Sequence, residues 1–341
     1  MIASTKRQEV KDNYAVYNMD CIEGISQLPD NSVDMFLYSP PFHDLYAYSS
    51  KDEDMGNAKD YYEFLEHYEF LIRECYRVLK PGRIAAIHCM DIPIPNYDLI
   101  DFAGDIIRLH KKNGFYFNDK KTIWKEPLMT AIRSRSRQLM HCQLVDDSSV
   151  VRSALADYVI MMRKQGTNQV KIKHDNGLKS FIGQFRFKEE KDLYDKLFRE
   201  YKNYDGDQSG NKLSHFIWRR YASCHWGDIN AGRMVDYLGG KEKDDDRHVC
   251  PLQLDVIERL ILLYSNKREI ILTPFGGVGS ELVGSINMDR IAIGFELKES
   301  YFKQAIRNCS IASNSDIYKF NDSVLFTGIY DEMPDDYVEV E

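Results

Sequence analysis

Two stretches of the 341-residue chain join residue types that could do chemistry. Near the N-terminus, Val33 to Tyr38 is a short apolar run that ends on Ser39-Pro40-Pro41-Phe42. The run has the form of a buried parallel strand, and in doubly wound sheets ligands gather at the carboxyl ends of such strands. A hydroxyl there would stand on backbone held rigid by two prolines, next to an aromatic face. Near the other end, Glu269 to Leu272 leads through Thr273, Pro274 and Phe275 into Gly276-Gly277-Val278-Gly279-Ser280. The three glycines permit a sharp turn and a close backbone approach to a ligand. The following strand, Arg290 to Phe295, delivers Glu296 about twenty residues past the loop, where such folds hydrogen-bond ribose hydroxyls. No Gly-Lys-Ser/Thr follows, which disfavours a phosphate-binding P-loop. Taken singly, each stretch reads more readily as a structural turn. Together they describe a ligand cradle and a reacting group on one α/β frame.

Positioning both requires alternating strands and helices, and the sequence supplies them. Tyr14 to Asp20 reads as a strand, Cys21 to Leu28 as a helical turn and Pro29 to Ser32 as a turn. Tyr61 to Leu79 has apolar residues at helical spacing and stops at Lys80-Pro81-Gly82. Arg83 to Cys89 is the next buried strand, Asp101 to Lys112 a helix, Phe115 to Trp124 an alternating strand and Asp157 to Arg163 a further strand. From Gln165 to Arg247 the apolar periodicity is weak and turn signals are frequent, which predicts a separate, partly irregular module. Helix returns at Pro251 to Tyr264, and Glu299 to Ile311 closes the frame. The expected division is therefore a first half over 1–164, a module over 165–247, a second half over 248–330 and an acidic, disordered tail over 331–341.

The seven cysteines are scattered, odd in number and never paired as Cys-x-x-Cys, which argues against a disulfide framework and a zinc site alike. No metal is expected. The N-terminus lacks the apolar core of a signal peptide and no run could span a bilayer, so a cytoplasmic protein is expected, without a membrane partner. A net charge of −8 is unusual for a nucleic-acid binder, but the last eleven residues hold six acids and no base. Between Arg108 and Arg137 nine Lys and Arg stand against two acids, a basic tract suited to phosphate contact.

The two stretches resemble motifs of the amino-group DNA methyltransferases. Thr273-Pro-Phe-Gly-Gly-Val-Gly-Ser280 is similar to their Asp-Pro-Phe-x-Gly-x-Gly-Ser/Thr cofactor motif, and Ser39-Pro-Pro-Phe42 to their Asp/Asn/Ser-Pro-Pro-Tyr/Phe motif. Arg77-Val-Leu-Lys-Pro-Gly82, His88-Cys-Met90, Thr122-Ile-Trp-Lys125 and Arg247 to Asp255 resemble stretches common in bacterial and phage-borne members. The resemblance implies S-adenosylmethionine as cofactor. It would be held by Asp20 at the adenine, Glu296 at the ribose, Thr273, Pro274, Phe275, Gly276, Gly277, Gly279 and Ser280 around the loop, and Gln253 on the helix covering the methionine end. The family usually carries Asp where this chain has Thr273, and a hydroxyl cannot pair with the methionine ammonium as a charge. The acceptor motif precedes the glycine loop, the circularly permuted order of the β class. The implied fold is a Rossmann-like methyltransferase sheet, mostly parallel, with helices on both faces and a target-recognition region inserted between the two motifs.

The implied reaction explains the catalytic residue types. An exocyclic base amine is a poor nucleophile because its lone pair is delocalised into the ring. Accepting its N–H hydrogens on Ser39 and the Pro40 carbonyl would localise that pair, with Pro41 helping to preorganise the acceptor. Phe42 would stack on a base extruded from the duplex. No Pro-Cys nucleophile for ring-carbon chemistry is present. Tyr46 and Tyr48 are candidates for the base pocket, and Arg133, Arg135 and Arg137 for phosphate or guanine contact. Double-stranded DNA is the implied substrate, with a homodimer and a cognate restriction endonuclease as possible partners. Adenine N6 and cytosine N4 both stay open, as do methylation of RNA or a small molecule and a silent DNA-binding subunit.

Overall fold

In a computed structural model, residues 7–41, 58–94, 98–134, 137–240 and 251–315 are described. Among them eleven strands and ten α-helices follow in order. The first half holds β1 (Gln8–Val10), β2 (Tyr14–Tyr17), α1 (Cys21–Ser26), β3 (Val33–Tyr38), α2 (Tyr61–Val78), β4 (Leu79–Cys89), β5 (Ile92–Ile94), β6 (Asp98–Ile100), α3 (Phe102–Lys112), β7 (Phe115–Ile123), α4 (Pro127–Ser134), α5 (His141–Asp146) and β8 (Asp157–Lys164). Then come α6 (Lys188–Tyr201), α7 (Lys212–Tyr221) and β9 (His225–Trp226). The chain closes with α8 (Leu254–Tyr264), β10 (Ile270–Thr273), α9 (Ser280–Asn287), β11 (Ile291–Phe295) and α10 (Glu299–Asn314).

Nine strands form one sheet in the order β1-β2-β11-β10-β3-β4-β8-β7-β9, and β5 and β6 form a small ribbon. From β2 to β4 every pairing is parallel, while β8 lies antiparallel between β4 and β7. Every residue of β3, at the centre, is buried. Its side chains alternate between two apolar layers: Phe36 and Tyr38 join α1, α2 and α3 on one face. Met35 and Leu37 join α8, α9 and α10 on the other. A sheet buried on both faces is the physical reason the strand sequences are continuously apolar rather than alternating.

The frame follows the expected elements, with two differences. The strand after α2 begins at Leu79, so Lys80-Pro81-Gly82 lies inside β4, where Gly82 takes φ +74 beside a register shift against β3. Residues after 165 are also more regular than their turn signals suggest. The helices α6 and α7 enclose a third apolar cluster with Leu178, Phe181, Phe185, Tyr194, Leu213, Ile217 and Tyr221. This cluster is tied to the frame by Arg259 of α8. Its guanidinium is fully buried, donates to the Ile182 carbonyl at 2.7 Å and pairs with Asp228 at 2.8 Å.

Candidate active site

Parallel strands end at one edge, so the residues that follow β2, β11, β10, β3 and β4 share that edge. Ser39 follows β3 directly. Its Oγ is 2.9 Å from Nδ1 of His88, the penultimate residue of β4, because the parallel register pairs Tyr38 with Ile87. His88 Nε2 in turn lies 3.2 Å from Asp157 Oδ2, and Asp157 Oδ1 lies 2.6 Å from Lys125 Nζ just beyond β7. The antiparallel course of β8 brings Asp157 here: its first residue must sit where β4 ends, with Tyr158 paired to Cys89. The His88 and Asp157 side chains are 12% and 7% exposed. Burial pushes the Asp157 carboxyl up, but the facing His88 and Lys125 outweigh it and hold the group below the usual carboxylate range.

The glycine loop follows β10, the neighbour of β3 on its other side. Phe275 reaches across to Tyr38 with ring centroids 6.0 Å apart, so the loop and the Ser39 end of β3 are adjacent. The turn is held from several directions. Gly276 N–H donates to the Phe295 carbonyl at 2.6 Å, and Gly277 N–H to Glu296 Oε2 at 2.7 Å. Buried Asn308 donates to the Val278 carbonyl at 2.8 Å. Gly279 has φ +95 and would set a Cβ 3.1 Å from the Ala305 Cα of α10, so a side chain there would be strained and would press on the helix backbone. At Gly277, with φ +51, a Cβ would meet nothing within 4 Å. The loop thus packs its underside and presents open backbone above, the form expected of a cofactor cradle.

The remaining expected cofactor residues lie on the same edge or next to it. Glu296 uses its other oxygen to accept from Lys298 N–H at 2.8 Å, and Asn18 donates to the Glu296 carbonyl at 2.7 Å. Asp20 caps α1 by accepting from Glu23 N–H at 2.9 Å. Thr273 is buried, and its hydroxyl donates to the Phe275 carbonyl at 3.2 Å. Pro274 and Ser280 bracket the turn. Gln253 stands at the N-cap of α8, and its Oε1 is buried without a hydrogen-bond partner. An open glycine backbone and an unpartnered buried carbonyl fit a ligand with polar groups.

Phe42, Tyr46, Tyr48 and Arg135 lie outside the described residues, as do the side chains of Arg133 and Arg137. The sequence assigned no role to His88, Asp157 or Lys125, although His88 and Lys125 lie in stretches that resemble those of family members. The available signal was a histidine ending an otherwise apolar strand. The partners could not follow without knowing that β8 is antiparallel.

With this geometry in place, the chain belongs to the DNA methylase family of N6/N4 methyltransferases, whose family match runs over residues 33–307. It is 24% identical over 335 residues to the Type II methyltransferase M.BamHI of Bacillus amyloliquefaciens, covering 95% of this chain and 63% of that one. It is 22% identical to M.BglII of Bacillus subtilis, covering 84% and 66%. The chain therefore spans about two thirds of the length of these two relatives. Among solved structures, a Thermus thermophilus chain in complex with S-adenosyl-L-methionine superposes with a TM-score of 0.57 at 18% identity, covering 89% of this chain and 96% of that one. The cytosine-N4-specific PvuII DNA methyltransferase gives 0.55 at 15% identity, covering 89% and 94%. The fold is thus that of the Rossmann-like methyltransferases, with a mostly parallel mixed sheet and helices on both faces.

Proposed function

We propose that the chain transfers a methyl group from S-adenosylmethionine to an exocyclic amine, N6 of adenine or N4 of cytosine, of a base turned out of double-stranded DNA. The carrying observation is the adjacency of the glycine loop after β10 and Ser39 after β3, linked by the Phe275–Tyr38 contact. It supports a cradle for the methyl donor beside an acceptor for the amine hydrogens. When bound, the cofactor supplies an electrophilic methyl group. The protein's part is to hold and orient. The backbone of Gly276, Gly277 and Gly279 receives the donor, and Glu296 braces that loop through Gly277 N–H while standing at the ribose position. Ser39 and the Pro40 carbonyl accept amine hydrogens and localise the nitrogen lone pair in an acceptor geometry that needs no reorganisation. Phe42 offers the stacking face for the extruded base.

The acceptor motif precedes the cofactor loop along the chain, which supports the permuted order. The aromatic cluster of α6 and α7 supports residues 165–247 as a target-recognition region. Tyr46, Tyr48, Arg133, Arg135 and Arg137 are its proposed helpers at the base and the phosphates. Relatives that are Type II methyltransferases favour a restriction endonuclease as functional partner, action in the bacterial cytoplasm, and DNA over RNA. The test is methyl transfer from labelled S-adenosylmethionine to duplex DNA, with sequencing of the modified base. Ser39→Ala should lower turnover by about 10²–10³-fold. Transfer to RNA but not to duplex DNA, or undiminished turnover in Ser39→Ala, would overturn the reading.

A further inference from the structure

We infer that His88 is a positioning residue that takes the Ser39 hydroxyl proton, so that Ser39 Oγ faces the substrate amine as an acceptor only. The inference rests on the function proposed above. A serine hydroxyl both donates and accepts, unlike a carboxylate, and an O–H pointed at an amine would oppose that amine's own hydrogens. Something must therefore fix which way the hydroxyl proton points. Asp157, held ionised by Lys125 at 2.6 Å, can only accept, and it lies 3.2 Å from His88 Nε2. The carboxylate that faces Nε2, within ion-pair distance but not aligned as a hydrogen bond, favours the ring hydrogen of the imidazole on Nε2 and leaves a lone pair on Nδ1. Ser39 Oγ, 2.9 Å from Nδ1, then donates its proton there. Its lone pairs are left for the amine.

The same chain balances the reaction. When the amine nitrogen gains its bond to the methyl carbon it must shed one hydrogen, and the positive charge that arrives with the methyl group leaves as that proton. The N–H bond breaks towards Ser39 Oγ while the Ser39 O–H proton passes to His88 Nδ1. This gives an imidazolium between Ser39 and the Asp157 carboxylate, which returns its proton to water after product leaves. The groups facing His88 are Ser39 from β3, Asp157 from β8 and Lys125 beyond β7. Cys89 and Asp91 follow on its own segment, and Lys120 of β7 lies within electrostatic reach of Cys89.

Three measurements on the full chain test this. Imidazole ¹⁵N NMR should show the ring hydrogen of His88 on Nε2, and an Nδ1–H tautomer would overturn the inference. His88→Ala should lower kcat by about 10²-fold or more, with the KM for DNA and S-adenosylmethionine affinity changed by less than about 3-fold. In a Ser39→Ala background the same substitution should cost less than about 2-fold, because the hydroxyl it orients is gone. Equal losses in both backgrounds would reduce His88 to a structural part and overturn the inference. Should His88→Ala fail to fold, His88→Asn keeps an acceptor for the hydroxyl. It should retain more turnover than Ser39→Ala; turnover no higher than that of Ser39→Ala counts against the inference. A wild-type chain that methylates no DNA would overturn the function and this inference with it. An active wild type indifferent to His88→Ala would overturn this inference alone.

Discussion

Glu281 gives a sharp test of the energetics around the cofactor loop. It is the second residue of α9, directly behind Gly279, and is buried. Burial pushes its carboxyl from the ordinary 4.5 up to about 7, against a smaller lowering from its own backbone N–H. Between those values the folded chain holds more protons than the unfolded one, so this group's contribution to stability falls as pH rises through that window. At about 1.4 kcal/mol per pH unit the loss amounts to roughly 3 kcal/mol, complete above pH 7 or so. Buried His110 acts in the opposite sense. Burial lowers its pKa from 6.5 to about 4, so its contribution is present above 6.5 and is lost as pH falls towards 4. Over the shared part of their windows the two slopes oppose each other, so the wild-type curve alone does not isolate Glu281. Glu281→Gln isolates one of them, because the amide keeps the shape and stays neutral. Urea unfolding should find the variant and the wild type close in stability near pH 5, and the variant more stable by roughly 3 kcal/mol at pH 8. An equal difference at both pH values would refute the reasoning, since no linkage to Glu281 would then exist.

Other substitutions test the packing that holds the site. Asp228→Ala leaves the buried Arg259 guanidinium without its carboxylate and should cost about 3–5 kcal/mol in urea unfolding; a loss below about 1 kcal/mol would mean water or another group compensates. In the glycine loop, Gly277→Ala should cost only about 1 kcal/mol, the strain of its left-handed backbone, because the new methyl enters open space. Gly279→Ala adds contact with the backbone of α10 and should cost clearly more, upwards of about 2 kcal/mol; equal melting-temperature losses for the pair would contradict the geometry.

What the sequence made legible was what local pattern controls. The run from Val33 to Tyr38 is a buried strand in any context, and glycines 276, 277 and 279 are needed by the turn itself, so both motifs could be read one residue at a time. Two things were not legible in that way. The helix α6 places Tyr194, Leu197, Phe198 and Tyr201 at helical spacing, but on a segment dense with Lys, Asp and Glu, and the charged face masks the apolar one. The middle of β8, Val159 to Met162, is apolar and buried, and such a run reads the same whether its neighbour runs parallel or antiparallel. That direction decides whether Asp157 meets His88 or lies at the opposite edge of the sheet. The proposed acceptor was visible in the sequence, but the groups proposed to orient it were not.

Ser39 and Thr273 pose the same chemical question at the two ends of the site. Each is a hydroxyl at a position where a carboxylate would be an unambiguous acceptor, and each can serve as one only if its proton is engaged elsewhere. At Thr273 the Phe275 carbonyl takes the proton at 3.2 Å. At Ser39 the candidate is His88 Nδ1 at 2.9 Å. The two solutions differ in what they can do next. A peptide carbonyl orients the Thr273 hydroxyl but cannot carry a proton away, which suits a position that only has to bind. An imidazole backed by a carboxylate orients Ser39 and can also hold the proton that the reacting amine must lose. Under the proposed function the asymmetry follows the chemistry: at the donor end a hydroxyl supported by backbone would suffice, whereas the acceptor end would call for a titratable partner.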